Sequence, residues 1–179
     1  MSKLTLLCGD FSMNRPGIAI ITYDTDSSSI SEVKTGALPQ GEKLTHAEKL
    51  VCLYRWLSEW ITGWIYETDT PRGVPDVFVR ERHAPRGMWD AVAIGKVLGC
   101  ADMFAMEFGK EFIEYAPSTI KKTLTGSGKA GKDKVAAAVT EFTGIDHFEY
   151  DDESDACAVG ITWLLKNGYR IKKRIEGDN

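Results

Sequence analysis

Three apolar segments, far apart in this chain, each carry carboxylates at one end. Leu4-Thr5-Leu6-Leu7-Cys8-Gly9 runs into Asp10, and Val77-Phe78-Val79-Arg80 runs into Glu81. Asp152-Glu153-Ser154-Asp155-Ala156-Cys157-Ala158 opens an apolar helical stretch, and the three-residue spacing sets Asp152 and Asp155 on one face of its first turn. A fold that joins the two strand ends and the helix start gathers four carboxylates. An oxygen-only set of this kind suits magnesium, and two ions held so serve in-line phosphodiester hydrolysis. Asp151 competes with Asp152 as a ligand, but only Asp152 has the spacing to Asp155.

The 179 residues are enough for one domain with a sizeable core, expected to span 1–179 with a short basic tail from about 168. Strands are expected near 4–9, 17–23, 30–35, 74–80 and 112–115. Thr45-His46-Ala47-Glu48 reads as a capping box that starts a helix, with Ala47, Leu50, Tyr54, Leu57, Ile61 and Trp64 as its core stripe. Trp56 and Trp60 form a second stripe, read as edge packing. A second helix, near 88–108, is apolar almost all round and is expected to be buried on more than one side, with Gly95 and Gly99 admitting a close neighbour. Its Asp90, Lys96 and Asp102 argue against a membrane span. Pro117 opens a short helix to about Leu124, and helices near 132–143 and 153–167 close the chain.

Two hairpins followed by crossovers give antiparallel and then parallel pairing. The expected fold is α/β, a central mixed five-stranded sheet flanked by helices, in the RNase H-like order. In that order Asp10 ends the central first strand, Glu81 ends the fourth, and the last helix brings Asp152 and Asp155 to the same place.

Cys8, Cys52, Cys100 and Cys157 show no paired spacing and sit in apolar stretches, as reduced core residues of a cytoplasmic protein would. The net charge of −4 hides a segregation. Lys121, Lys122, Lys129, Lys132 and Lys134 crowd residues 121–134 against Asp133 alone, and residues 166–174 are basic without an acid. Residues 146–155 between them hold six acids. A metal site flanked by basic patches for nucleic acid gives this pattern; solvated faces and a frayed tail are the bland alternative.

On these residues the chain resembles the RuvC-type Holliday junction resolvases, including their viral members. The shared pieces are Cys8-Gly9-Asp10-Phe11-Ser12 with Gly17, then Val79-Arg80-Glu81, then Tyr115-Ala116-Pro117 opening a helix with Lys121. Gly126-Ser127-Gly128 with Lys132 and Asp152 to Ala158 complete the set. The resemblance implies a homodimeric endonuclease that nicks opposing strands of a four-way DNA junction, or related branched DNA, using two Mg2+ ions per site, with Mn2+ able to substitute. It implies Asp10, Glu81, Asp152 and Asp155 as catalytic metal ligands and Lys132 near the scissile phosphate. Lys121, Lys122, Lys129, Lys132 and Lys134 would bind DNA. Family members also stack an aromatic residue, soon after the strand-four Glu, on unpaired bases. Arg82, His83 and Ala84 stand there instead, leaving His83 or Trp89 to take that part.

Bland readings compete at each position. Asp10 alone is a loop acid, Glu81 alone pairs with Arg80 or Arg82, and acids favour a helix N-terminus by about 0.3–1 kcal/mol each. Gly126–Asp133 fits G-x-x-x-x-G-K but carries Asp133 where a phosphate-binding loop needs a hydroxyl, so an NTPase is rejected. His46 lies in the capping box, and His147 is a candidate to support the acids before the last helix. The competing functions are an RNase H-like nuclease acting on RNA–DNA hybrids or RNA, and a junction-binding protein that does not cut.

Overall fold

The computed structural model describes residues 2–67 and 72–174; residues 175–179, the end of the expected basic tail, lie outside the described residues. Strands β1 (Lys3–Asp10), β2 (Gly17–Asp24), β3 (Ser29–Ala37), β4 (Val77–Glu81) and β5 (Phe112–Tyr115) form one sheet in the order β3-β2-β1-β4-β5. The β1–β2 and β2–β3 pairs are antiparallel, and β1–β4 and β4–β5 are parallel. Helices α1 (His46–Tyr66) and α2 (Met88–Glu107) cover one face; α3 (Pro117–Thr125), α4 (Lys132–Thr143) and α5 (Asp151–Lys166) cover the other.

Side-chain alternation along the strands feeds both layers. Leu6, Cys8, Ala19, Ile21 and Val79 pack under α4 and α5, while Leu7, Ile18, Ile20 and Phe78 pack under α1 and α2. The same alternation fixes where the strand-end acids point. Asp10 follows Leu6 and Cys8, and Glu81 follows Val79, so both carboxylates emerge on the α5 face. Arg80 takes the opposite face, where it pairs with Asp102 of α2 at 2.7 Å and Glu114 of β5 at 2.7 Å. That arrangement removes the bland reading of Glu81 as the partner of Arg80.

The capping box at Thr45 and Glu48 is formed as expected. The stripe of α1 shifts, however: Leu53 joins Leu57, Ile61 and Trp64 in the core, whereas Ala47 is exposed. Trp60 packs on Gly36 of the edge strand β3, as edge packing requires. Cys52 is exposed and Cys100 half-buried, so only Cys8 and Cys157 are true core thiols.

The expectation for α2 needs a larger correction. It buries Val97, Ala101, Phe104 and Ala105, but Met88, Trp89, Val92, Met103 and Met106 face outward and are exposed. A Cβ at Gly95 or Gly99 would meet nothing within 4 Å. One sheet face covers one stripe of a helix, and the outward apolar residues of α2 stay exposed among the described residues. No helix among the described residues is long and apolar enough to cross a membrane.

Residues 168–174, after α5, are tied down rather than frayed. Lys172 N donates to Ser28 O, Arg174 N donates to Glu141 O, and Tyr169 lies against Tyr23 and Trp163.

Candidate active site

β1 and β4 are parallel neighbours, so their C-terminal ends, with Asp10 and Glu81, lie side by side. The chain stays extended past Glu81, held by Arg82 N donating to Tyr115 O at 2.8 Å. His83, two residues on, therefore points the same way as Glu81. Ligand atoms of Asp10, Glu81 and His83 lie within 4.8 Å of one another.

α5 is brought to this point by two close approaches. A Cβ at Gly160 would strike Cys8 Sγ and Ile21 Cδ1, so α5 lies directly on β1 and β2. A Cβ at Gly17, the partner of Asp10 across the β1–β2 pair, would strike the Asp152 carbonyl. The glycine after the first acid thus seats the first turn of α5 against the strand end. Helix α5 begins at Asp151, two residues earlier than expected, because Asp151, Asp152 and Glu153 suit a helix N-terminus.

Within that turn the acids separate by direction. The Asp152 side chain is 17% exposed and pairs with the Arg15 guanidinium, whereas Asp151 is 74% exposed. Asp155 is turned to Lys132, whose ammonium lies 3.4 Å from Asp155 and 3.5 Å from Asp151. Lys132 occupies the first turn of α4, directly after the glycine loop. Arg15 also sits over the Tyr150 ring, 5.1 Å from its centroid.

Electrostatics mark the acids as one cluster. Burial, reinforced by the Asp10 charge and then Asp155, pushes the Glu81 carboxyl up to about 7; Lys121 acts against the rise, placing that lysine within reach of the cluster. Burial also raises Asp155, opposed by Lys132 and assisted by Asp10. His83 is held toward its charged form by Asp10, against its own burial. The His83 Nε2 to Asp10 Oδ1 approach is 3.1 Å, but its alignment is poor for a hydrogen bond, and both buried atoms lack an aligned partner. The contact is charge proximity rather than a satisfied bond.

The structure brings Asp10 and Glu81 together, with Asp152 and Asp155 on the adjoining turn. Lys121 borders the cluster and Lys132 contacts it; Lys122, Lys129 and Lys134 are exposed beyond it. His147 and His46 are exposed. His83 departs from the stacking part suggested for it, because it faces Asp10 instead of solvent. Period-two spacing from Glu81 was the signal for this in the sequence. Trp89, at 85% exposure, points outward from the first turn of α2. Arg15 gave no signal, since its pairing with Asp152 spans 137 positions.

The chain, with its β3-β2-β1-β4-β5 sheet, matches known proteins across most of its length. The T. thermophilus RuvC in complex with a Holliday junction substrate superposes with a TM-score of 0.77 at 18% identity, covering 96% of this chain and 99% of that one. The fowlpox virus resolvase in complex with Holliday junction DNA superposes at 0.56 and 13% identity, covering 92% and 99%. The crossover junction endodeoxyribonuclease RuvC of Chlorobium phaeobacteroides is 31% identical over 81% of this chain and 74% of its own length. The family model "Crossover junction endodeoxyribonuclease RuvC" matches residues 7–163, a span that takes in both strand-end acids, the lysine loop and the first turns of α5, and the chain belongs to that family.

Proposed function

We propose that this chain resolves four-way DNA junctions and related branched DNA, with Asp10, Glu81, Asp152 and Asp155 as the metal-binding carboxylates of one active site. That it is an endodeoxyribonuclease follows from its family. The observation that carries the residue assignment is the meeting of Asp10 and Glu81 on the α5 face, with Asp152 and Asp155 on the turn that Gly17 admits.

The donor set fits divalent cations. Burial and then the Asp10 charge raise the Glu81 carboxyl, burial and Asp10 also raise Asp155, and buried Asp10 Oδ1 and His83 Nε2 lack aligned partners. A cation relieves both conditions. Mg2+ suits the carboxylates, and Mn2+ accepts the imidazole of His83 as well. Bound there, metal would supply an activated water and would stabilise charge on the scissile phosphate and the leaving oxygen. Lys132 places its ammonium where that phosphate charge develops, and Lys121 grips the backbone beside it. Asp152, paired with Arg15 here, would be one of the carboxylates that hold the metal.

The exposed apolar stripe of α2 supports a two-fold homodimer, whose two sites would match the two symmetric strands of a junction. Trp89, on the first turn of that helix, is the residue we assign to stacking on unpaired bases. Buried, unpaired Cys8 and Cys157 support a reducing, cytoplasmic setting.

One gel assay with four-way junction, flap and RNA–DNA hybrid substrates in Mg2+ tests the reading. Paired nicks in opposing junction strands are expected. Cleavage of the hybrid alone would replace this reading with an RNase H-type activity.

A further inference from the structure

Lys49 is an anomaly of the α1 N-terminus. It is only 5% exposed, yet its ammonium donates to the Asn14 side-chain oxygen at 2.6 Å and pairs with no carboxylate among the described residues. A buried ammonium without a counter-ion is costly, and two of its three donors remain for other acceptors. Lys49 lines a polar cleft of about 540 Å³, together with Ser12, Asn14, Arg15, Gln40 and Asp152.

Asp152 belongs to this cleft and to the acidic cluster, so the cleft begins where the catalytic acids end. Its walls are built in advance. Gln40 N donates to Asn14 O at 2.9 Å, and Leu38 N donates to Pro16 O at 3.0 Å, which clamps the segment after β3 to the β1–β2 loop. Gln40 Oε1 is buried without a partner, and an amide flip would offer the cleft a donor instead. Glu42 is the other acid on the wall, but it is exposed and screened by water. Ammonium, guanidinium, hydroxyl and amide groups around one concavity select an anionic ligand rich in acceptor oxygens.

We propose that this cleft is a phosphate subsite in which Lys49, with Arg15 beside it, grips the backbone phosphate next to the scissile one on the strand being cut. The inference rests on the nuclease reading above, because the strand must cross the acidic cluster to reach the cleft. Lys49 would contribute to binding and register, not to chemistry.

The test is a scan of four-way junctions that carry one neutral methylphosphonate at successive positions around the cleavage point. Binding is measured with calcium so that the strands stay intact. Wild-type protein should lose about ten-fold in affinity at one position beside the scissile phosphate. Lys49→Met should lose a similar factor on the all-phosphate junction, show a salt slope lower by about one, and be insensitive at that position. Asn14→Asp guards against a variant that fails to fold. It supplies the missing carboxylate to Lys49, so its melting temperature should hold or rise while affinity and salt slope fall. Equal sensitivity of wild type and both variants at every position would overturn the subsite, as would an Asn14→Asp protein that binds like wild type. Failure of the wild type to prefer a junction over duplex would count against the junction reading alone; the same scan on duplex would then decide the cleft.

Discussion

Asp152 and Asp151 differ in what the backbone makes of them. Adjacent acids on a helix point about 100° apart, so only one can face the strand ends, and we propose Asp152, whose backbone lies against Gly17. Asp10→Asn, Glu81→Gln, Asp152→Asn and Asp155→Asn should each lower junction cleavage by more than about a hundred-fold, with unfolding temperatures retained, whereas Asp151→Asn should stay active. Single-turnover assays in Mg2+ with thermal melts read both halves. Full activity of Asp152→Asn beside a dead Asp151→Asn would reverse the assignment. His83 gives a second residue-scale prediction. Its Nε2 lies close enough to Asp10 to share a cation, so His83→Gln should weaken Mn2+ binding by about 10–100-fold. Calorimetric titration of Mn2+ checks this without catalysis, and unchanged affinity would leave His83 as a mere charge neighbour.

At the scale of elements, two glycines set how α5 meets the sheet. Gly160 lies inside the helix, where Ala would ordinarily gain about 1 kcal/mol. Here the added methyl meets Cys8 and Ile21, and such overpacking costs about 1–3 kcal/mol, so Gly160→Ala should destabilise. Gly17→Ala meets backbone instead of a movable side chain, so relief requires the α5 N-terminus to shift. Cleavage should fall far more than stability, because catalytic geometry is lost with displacements of about 1 Å. Denaturant unfolding and junction cleavage of the two variants separate these effects; a fully active Gly17→Ala would show that the acidic turn is not seated by this contact.

For the whole molecule, α2 presents the surface on which the proposed dimer would form. Its outward Val92, Met103 and Met106, with the open groove beside Gly95 and Gly99, leave apolar surface that a second copy could bury. Sedimentation velocity at micromolar concentration should show a dimer, and Met103→Glu should shift it to monomer and end paired nicking. A strict monomer, free and on a junction, would refute the two-fold pairing.

The sequence by itself determined the strands and helices, their order, and hence the sheet. Period-two and helical patterns are local, and the crossover rules leave few topologies for them. It also singled out the four acids we propose as ligands, because each closes or opens an apolar element and the element order brings them to one edge. Other features depended on neighbours distant in the chain. Whether α2 is covered depends on how much of its circumference one sheet face can reach, which periodicity does not encode. The period-two spacing of His83 from Glu81 is local, but its turn toward Asp10 depends on the chain staying extended past β4, where Arg82 N donates to Tyr115 O. Lys49 reads as one more lysine near a helix start until the β1–β2 loop and the segment after β3 close over it. Burial without a counter-ion is a property of that enclosure, and only the tertiary structure decided it.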